Sequence, residues 1–149
     1  MTISVGERLP QVKLTKMTAE GPEPVDTGDY FKGKRVALFA VPGAFTPTCS
    51  AKHLPGFVDK DADLKAKGID EIVCTSVNDP FVLGAWSKSS NADGVTMLAD
   101  GFVSRCGSRA AVRRIGPNRL VAIIASTTVR SNGWAFRSSV FMMPAFRMT

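Results

Sequence analysis

Acidic residues and lysines are missing from the last third of this chain. Residues 102–149 hold eight arginines and no Asp, Glu or Lys, a net of +8, whereas residues 1–101 hold all thirteen acids, nine lysines and two arginines, a net of −2. Globular sequences mix both signs at about a quarter of their positions, so a stretch this long with one sign is a break in composition. The total of +6 therefore describes a basic tail rather than a basic protein. Other absences narrow the chemistry. Cys49, Cys74 and Cys106 are an odd count with no C-x-x-C pair, which argues against a disulfide framework, a zinc ribbon or a thioredoxin-type dithiol. A single histidine, His53, argues against a His-based triad and most hydrolytic metal sites. No apolar run approaches the roughly 18 residues of a membrane span. Met1–Arg8 lacks the basic head and apolar core of a secretory signal, so the reading is a reducing, cytoplasmic setting.

What remains is 149 residues with 44% hydrophobic content, the size and composition of one domain, 1–149, with an anomalous basic segment at 102–149. The first two thirds have the rhythm of an α/β domain. Gln11–Thr15 alternates weakly and residues 21–24 read as a turn, which predicts an N-terminal strand or hairpin. Arg35–Val41 is a nearly continuous apolar run, the pattern of a strand covered on both faces, and it stops at Pro42-Gly43. Residues 47–68 carry apolar positions at helical spacing, predicting an amphipathic helix kinked near Pro55-Gly56. Glu71–Val77 is a second buried strand. Asn78-Asp79-Pro80 places a cap and a first-turn proline ahead of a helix over Phe81–Ser89, and Met97–Ala99 is a short third strand. Strand, helix, strand, helix, strand predicts a parallel sheet with helical crossovers.

The chemistry falls where the first buried strand meets its helix, at Pro42-Gly43-Ala44-Phe45-Thr46-Pro47-Thr48-Cys49. A cysteine in the first turn of a helix faces unpaired backbone N–H groups and the positive end of the helix dipole, both of which favour thiolate over thiol. The Thr46 hydroxyl can turn toward that sulfur or toward an oxygen bound beside it, and Pro42 and Pro47 stiffen and shield the approach. The bland alternative is that Cys49 is one more small buried hydrophobe.

Pro42, Thr46 and Cys49 match the P-x-x-x-T-x-x-C signature of the peroxiredoxins, and this stretch resembles that family. His53–Phe57, Val77–Val82 and Ala85-Trp86 extend the likeness to the type II (peroxiredoxin five) subfamily, over about Val5–Gly101. The resemblance implies an α/β, thioredoxin-like fold, a central mixed sheet flanked by helices with an N-terminal hairpin extension. It also implies reduction of hydrogen peroxide and alkyl hydroperoxides at Cys49, no metal or organic cofactor, glutathione with glutaredoxin or thioredoxin as reductant, and a homodimer. A later-strand arginine completes the family site. Residues 118–124 resemble that strand, which makes Arg119 the candidate, although it can equally flank a strand as one of the tail's arginines. Subfamily members often carry a cysteine at the place of Cys74, sometimes credited with resolving the oxidised first cysteine; a strand cysteine between Val73 and Thr75 is also ordinary core. His53 reads as a helix-surface residue rather than a base, and Trp86 as packing near the pocket or a subunit contact, or as ordinary core.

From Phe102 onward the pattern departs from the family, and Cys106 matches nothing in it. A displaced reading frame accounts for the departure: Ala125–Val129 can be coded GCG TCG ACG ACG GTG, which read from the third base gives the Val-Asp-Asp-Gly turn that type II members carry. Sequencing the coding DNA from Val95 onward decides it. If the tail is as written, the fold's C-terminal part is incomplete. The rival function is then a catalytically impaired chain whose basic, aromatic-bearing tail binds nucleic acid or an acidic membrane surface. The tail has no lysine, no nucleic-acid motif and no amphipathic period, so neither nucleic acid nor membrane is expected as a partner; a salt-dependent gel shift separates the two readings.

Overall fold

The computed structural model describes Leu9, residues 11–101 and the backbone of two later strands, 120–124 and 139–141. The described residues build a seven-stranded mixed sheet. At its centre β3 (Arg35–Val41) pairs in parallel with β4 (Glu71–Ser76), with Val41 level with Ser76. β5 (Val95–Ala99) lies parallel on the far side of β4, with Ala99 opposite Ser76. β1 (Lys13–Thr18) runs antiparallel to β5 and to the edge strand β2 (Gly21–Asp26). On the other flank β6 (Leu120–Ile124) runs antiparallel to β3, and β7 (Ser139–Phe141) antiparallel to β6. The spatial order is β2-β1-β5-β4-β3-β6-β7. The expected strands and the docking of Leu120–Ile124 beside β3 are therefore present, and the architecture is the mixed-sheet, thioredoxin-like one.

The central strands read as apolar runs because both faces are covered. Phe39, Ile72, Cys74 and Met97 pack on one face with Leu54, Leu83 and Trp86; Val36, Leu38, Val73 and Leu98 pack on the other with Leu14 and Phe31. Each fully buried leucine contributes about 1.5–3 kcal/mol relative to exposure. The crossover from β3 to β4 passes through a π turn (Cys49–His53), α2 (Leu54–Val58) and α3 (Asp61–Ala66). Phe57 of α2 stacks on Phe39 of β3, with ring centroids 3.9 Å apart, and this fixes the helix on the sheet. The crossover from β4 to β5 is α4 (Pro80–Ser89), capped by Asp79, whose carboxylate accepts from the N–H groups of Phe81 and Val82 at 2.9 and 3.0 Å. It ends at Asn91 (φ 50°), with the Ala92 N–H bonded back to the Ser87 carbonyl at 2.9 Å, a left-handed helix stop.

Two local expectations need correction. Residues 21–24 are not a turn but most of β2; the turn is Ala19-Glu20. The prolines are tolerated because β2 is an edge strand, where alternate N–H groups would face away from β1 and need no partner. The helix after β3 is also not one helix with a kink at Pro55-Gly56. It widens to π geometry just before Pro55 and breaks after Val58. Pro55 has no N–H and its ring crowds the carbonyl four residues back, so the preceding turn opens by one residue and the Leu54 N–H reaches the Cys49 carbonyl instead.

At the start of β4, the Glu71 carboxylate accepts from Thr96 and Tyr30 at 2.6 Å each and from Lys34 at 3.1 Å. Lys34 also lies 4.1 Å from the centroid of the Tyr30 ring. Partial burial opposes the charge on Glu71, yet these three donors outweigh it and hold the carboxyl below its usual range. Burial, together with the facing Glu71, pushes the Tyr30 phenol upward, so Tyr30 remains a donor.

Candidate active site

The carboxyl ends of β3, β4 and β5 finish level with one another, so the loops leaving them lie side by side. The Asp100 N–H donates to the Ser76 carbonyl at 2.8 Å. Gly101 passes so close behind that a Cβ there would stand 2.2 Å from the Val77 carbonyl oxygen, which only glycine permits. Into this corner the loop from β3 delivers Cys49.

The Ser50 N–H donates to the Thr46 carbonyl at 3.0 Å, so Thr46 stands where the helix begins and Cys49 falls in its first turn. Pro47 has no N–H, and no carbonyl inside the helix can receive those of Thr48 and Cys49. Two N–H groups without a helix partner thus stand at the start of the helix that carries Cys49, a residue 1% exposed. On the other side of Cys49, Ser50 is held by Trp86 of α4, whose indole N–H donates to the Ser50 hydroxyl at 3.0 Å. Trp86 is itself 1% exposed, so it is core, and its bond to Ser50 places it next to the turn of Cys49. His53 closes the π turn, half-buried.

Thr46 donates its hydroxyl proton to the Gly43 carbonyl at 2.8 Å. The sequence reading turns this hydroxyl toward the sulfur or toward an oxygen bound beside it; here its proton is committed, and what it retains is lone pairs that accept. Pro42 and Pro47 are both exposed, so they stiffen the loop from its solvent side. Between them Phe45 has φ 59°, a left-handed conformation that costs a bulky residue about 1–2 kcal/mol.

Cys74 is fully buried at the middle of β4, level with Phe39 and Met97 on its two neighbours. Burial pushes its thiol up, and the nearness of Cys49 adds to the shift. Cys49 and Cys74 share one core cluster and both are free thiols. Arg119 lies outside the described residues, as do Cys106 and most of the basic segment 102–149; β6 begins one residue later, with Leu120 opposite Phe39.

In the sequence Asn78 stands out only as part of a cap and a motif. The Asn78 side-chain oxygen accepts from the Ala44 N–H and from the Ser76 hydroxyl, both at 2.8 Å, tying the β4 loop to the Cys49 loop. The available signal was that Asp79 already caps α4, which leaves the asparagine before it without a helix role. Gly43 belongs to the same arrangement: a Cβ there would meet the Thr46 methyl at 3.3 Å.

A family model described as Redoxin matches residues 4–133. The chain is 50% identical over 105 residues to peroxiredoxin-2E-2, chloroplastic, of Oryza sativa subsp. japonica, a match covering 67% of this chain and 46% of the relative. It is 61% identical over 70 residues to peroxiredoxin-2B of Arabidopsis thaliana, covering 46% of this chain and 43% of that one. The chain thus spans less than half the length of these plant relatives. Among solved structures it is similar to reduced Prx3 from Vibrio vulnificus in complex with H2O2. That likeness has 36% identity and a TM-score of 0.73, and covers 93% of this chain and 85% of the other.

Proposed function

Because the chain belongs to the redoxin family and stands among its peroxiredoxins, we propose that it is a thiol peroxidase in which Cys49 reduces hydrogen peroxide and alkyl hydroperoxides. The observation that carries this reading is the setting of Cys49: a buried cysteine in a first helical turn, three residues after a threonine whose hydroxyl is oriented by the Gly43 carbonyl. The H2O2 bound to the similar Vibrio protein supports the same substrate class.

The Cys49 thiolate attacks the hydroxyl oxygen of the peroxide. An S–O bond forms as the O–O bond breaks, leaving Cys49 as a sulfenic acid and releasing an alkoxide or hydroxide that takes a proton to become alcohol or water. The Thr46 oxygen accepts the peroxide O–H and aligns it. The Thr48 and Cys49 N–H groups stabilise negative charge as it moves from sulfur to the departing oxygen. We assign Arg119, arriving with β6, as the cation that shares this task.

One thiol then condenses with the sulfenic acid, expelling water, and a second thiol releases Cys49 as the reduced cysteine. Glutathione with glutaredoxin, or thioredoxin, supplies these equivalents in our reading, which fits a reducing compartment such as the cytoplasm. Cys74 is a poor resolver as it stands, because its buried thiol is held protonated in a central strand. A homodimer accords with Phe45 and Phe81, which are 56% and 54% exposed; Phe45→Glu should shift sedimentation to the monomer, and an unchanged species would remove that support. The function is tested by adding stoichiometric peroxide with a sulfenic-acid trap and locating the adduct by mass spectrometry. Labelling at Cys74 or Cys106 with Cys49 untouched would overturn it.

A further inference from the structure

We propose that Asn78 is a positioning residue for the peroxide step, setting the Thr46 hydroxyl through the Gly43–Ala44 peptide; the proposal rests on the reading of Cys49 and Thr46 as the peroxide site. The peptide unit between Gly43 and Ala44 has two polar ends, and both are held. Its N–H, on Ala44, donates to the Asn78 side-chain oxygen at 2.8 Å. Its C=O, on Gly43, accepts the Thr46 hydroxyl at 2.8 Å. A trans peptide is rigid, so rotating one end rotates the other. Asn78 therefore fixes the carbonyl that orients Thr46.

Asn78 is in turn fixed from two sides. The hydroxyl of the buried Ser76 donates to the same side-chain oxygen at 2.8 Å, and the Asn78 backbone carbonyl accepts from the Gly101 N–H at 3.3 Å. Both contacts come from the ends of β4 and β5, so a rigid sheet edge is the anchor. The need for such an anchor is visible in the loop: Phe45, between Ala44 and Thr46, holds a left-handed backbone that persists only where the surroundings over-determine it. Gly43 completes the arrangement, since its missing Cβ leaves the Thr46 methyl its place.

The test is a cycle of Asn78→Ala and Thr46→Val, read by two single-turnover rates at Cys49: oxidation by H2O2 and alkylation by iodoacetamide. Alkylation needs the sulfur but has no O–H for Thr46 to hold. Asn78→Ala should slow oxidation about ten- to a hundred-fold, as misplacement of an orienting group does, and leave alkylation unchanged. In the Thr46→Val background it should have no further effect on oxidation. Additive losses, or equal slowing of both reactions, would overturn the proposal by making Asn78 merely structural. Should Asn78→Ala fail to fold, Ser76→Ala must show the same pattern at smaller size, and its absence there overturns the proposal too. A wild-type protein inert to H2O2 would sink the reading of Cys49 alone. The clamp is then judged by NMR, where Asn78→Ala must speed exchange of the Ala44 amide and populate a second Thr46 rotamer. A Thr46 rotamer that does not change overturns it.

Discussion

The indole N–H of Trp86 donates to the hydroxyl of Ser50 at 3.0 Å, so a fully buried side chain of α4 holds the turn that carries Cys49. Ser50→Ala removes the acceptor and leaves the indole N–H buried without a partner. The expected cost is about 1–3 kcal/mol of global stability, read as a lower denaturant midpoint with an unchanged slope. A midpoint equal to wild type would show that another acceptor or water serves the indole.

Thr46 offers a second contrast. Thr46→Val keeps the shape and loses both the bond to Gly43 and the lone pairs, and oxidation of Cys49 by H2O2 should slow by about one to three orders of magnitude, the scale of losing one preorganised polar contact. Thr46→Ser keeps the hydroxyl and should stay within about a factor of ten of wild type. Stopped-flow kinetics at limiting peroxide measures both, and equal rates for valine and wild type would remove the hydroxyl from the mechanism.

For Cys74, we expect Cys74→Ala to keep peroxidase turnover with an external thiol reductant, because a buried, protonated thiol in a central strand cannot attack the sulfenic acid without opening the fold. Non-reducing peptide mapping after one equivalent of peroxide should recover trapped Cys49 sulfenic acid in the wild type. A Cys49–Cys74 disulfide as the main product would make Cys74 the resolving residue.

Arg119 directly precedes β6, whose first residue lies opposite Phe39. Arg119→Gln should slow peroxide oxidation of Cys49 while leaving far-UV circular dichroism unchanged, since the cation is assigned to the chemistry and not to the strand. Unchanged peroxide kinetics would return Arg119 to the basic tail.

The Glu71 cluster predicts a pH dependence of stability. Its folded carboxyl is held below the ordinary range by Thr96, Tyr30 and Lys34 against a partial burial penalty. Its contribution is therefore fully present above the ordinary glutamate range and is lost as pH falls through the folded value. Glu71→Gln should be less stable than wild type at neutral pH, with the gap closing as the pH is lowered below that range. A gap that stays constant across the acid limb would mean the charge contributes nothing.

The sequence by itself determined the features that depend on near neighbours in the chain. β3 and β4 are legible because strands covered on both faces must be apolar throughout. Asp79 is legible as a cap because an aspartate before a first-turn proline has a local job, and Cys49 because the residues before it begin a helix. The tertiary structure decided the rest. The prolines of β2 are strand and not turn only because β2 lies at the sheet edge. The π turn follows from Pro55, yet its consequence, Ser50 within reach of Trp86, depends on α4 packing against the same sheet face. The direction of the Thr46 proton and the tie from Asn78 to Ala44 require the parallel register that sets Val41 level with Ser76. Hydrogen bonds have short reach and strict direction. Residues 34 positions apart, as Ala44 and Asn78 are, meet only once the strand pairing has brought their loops together.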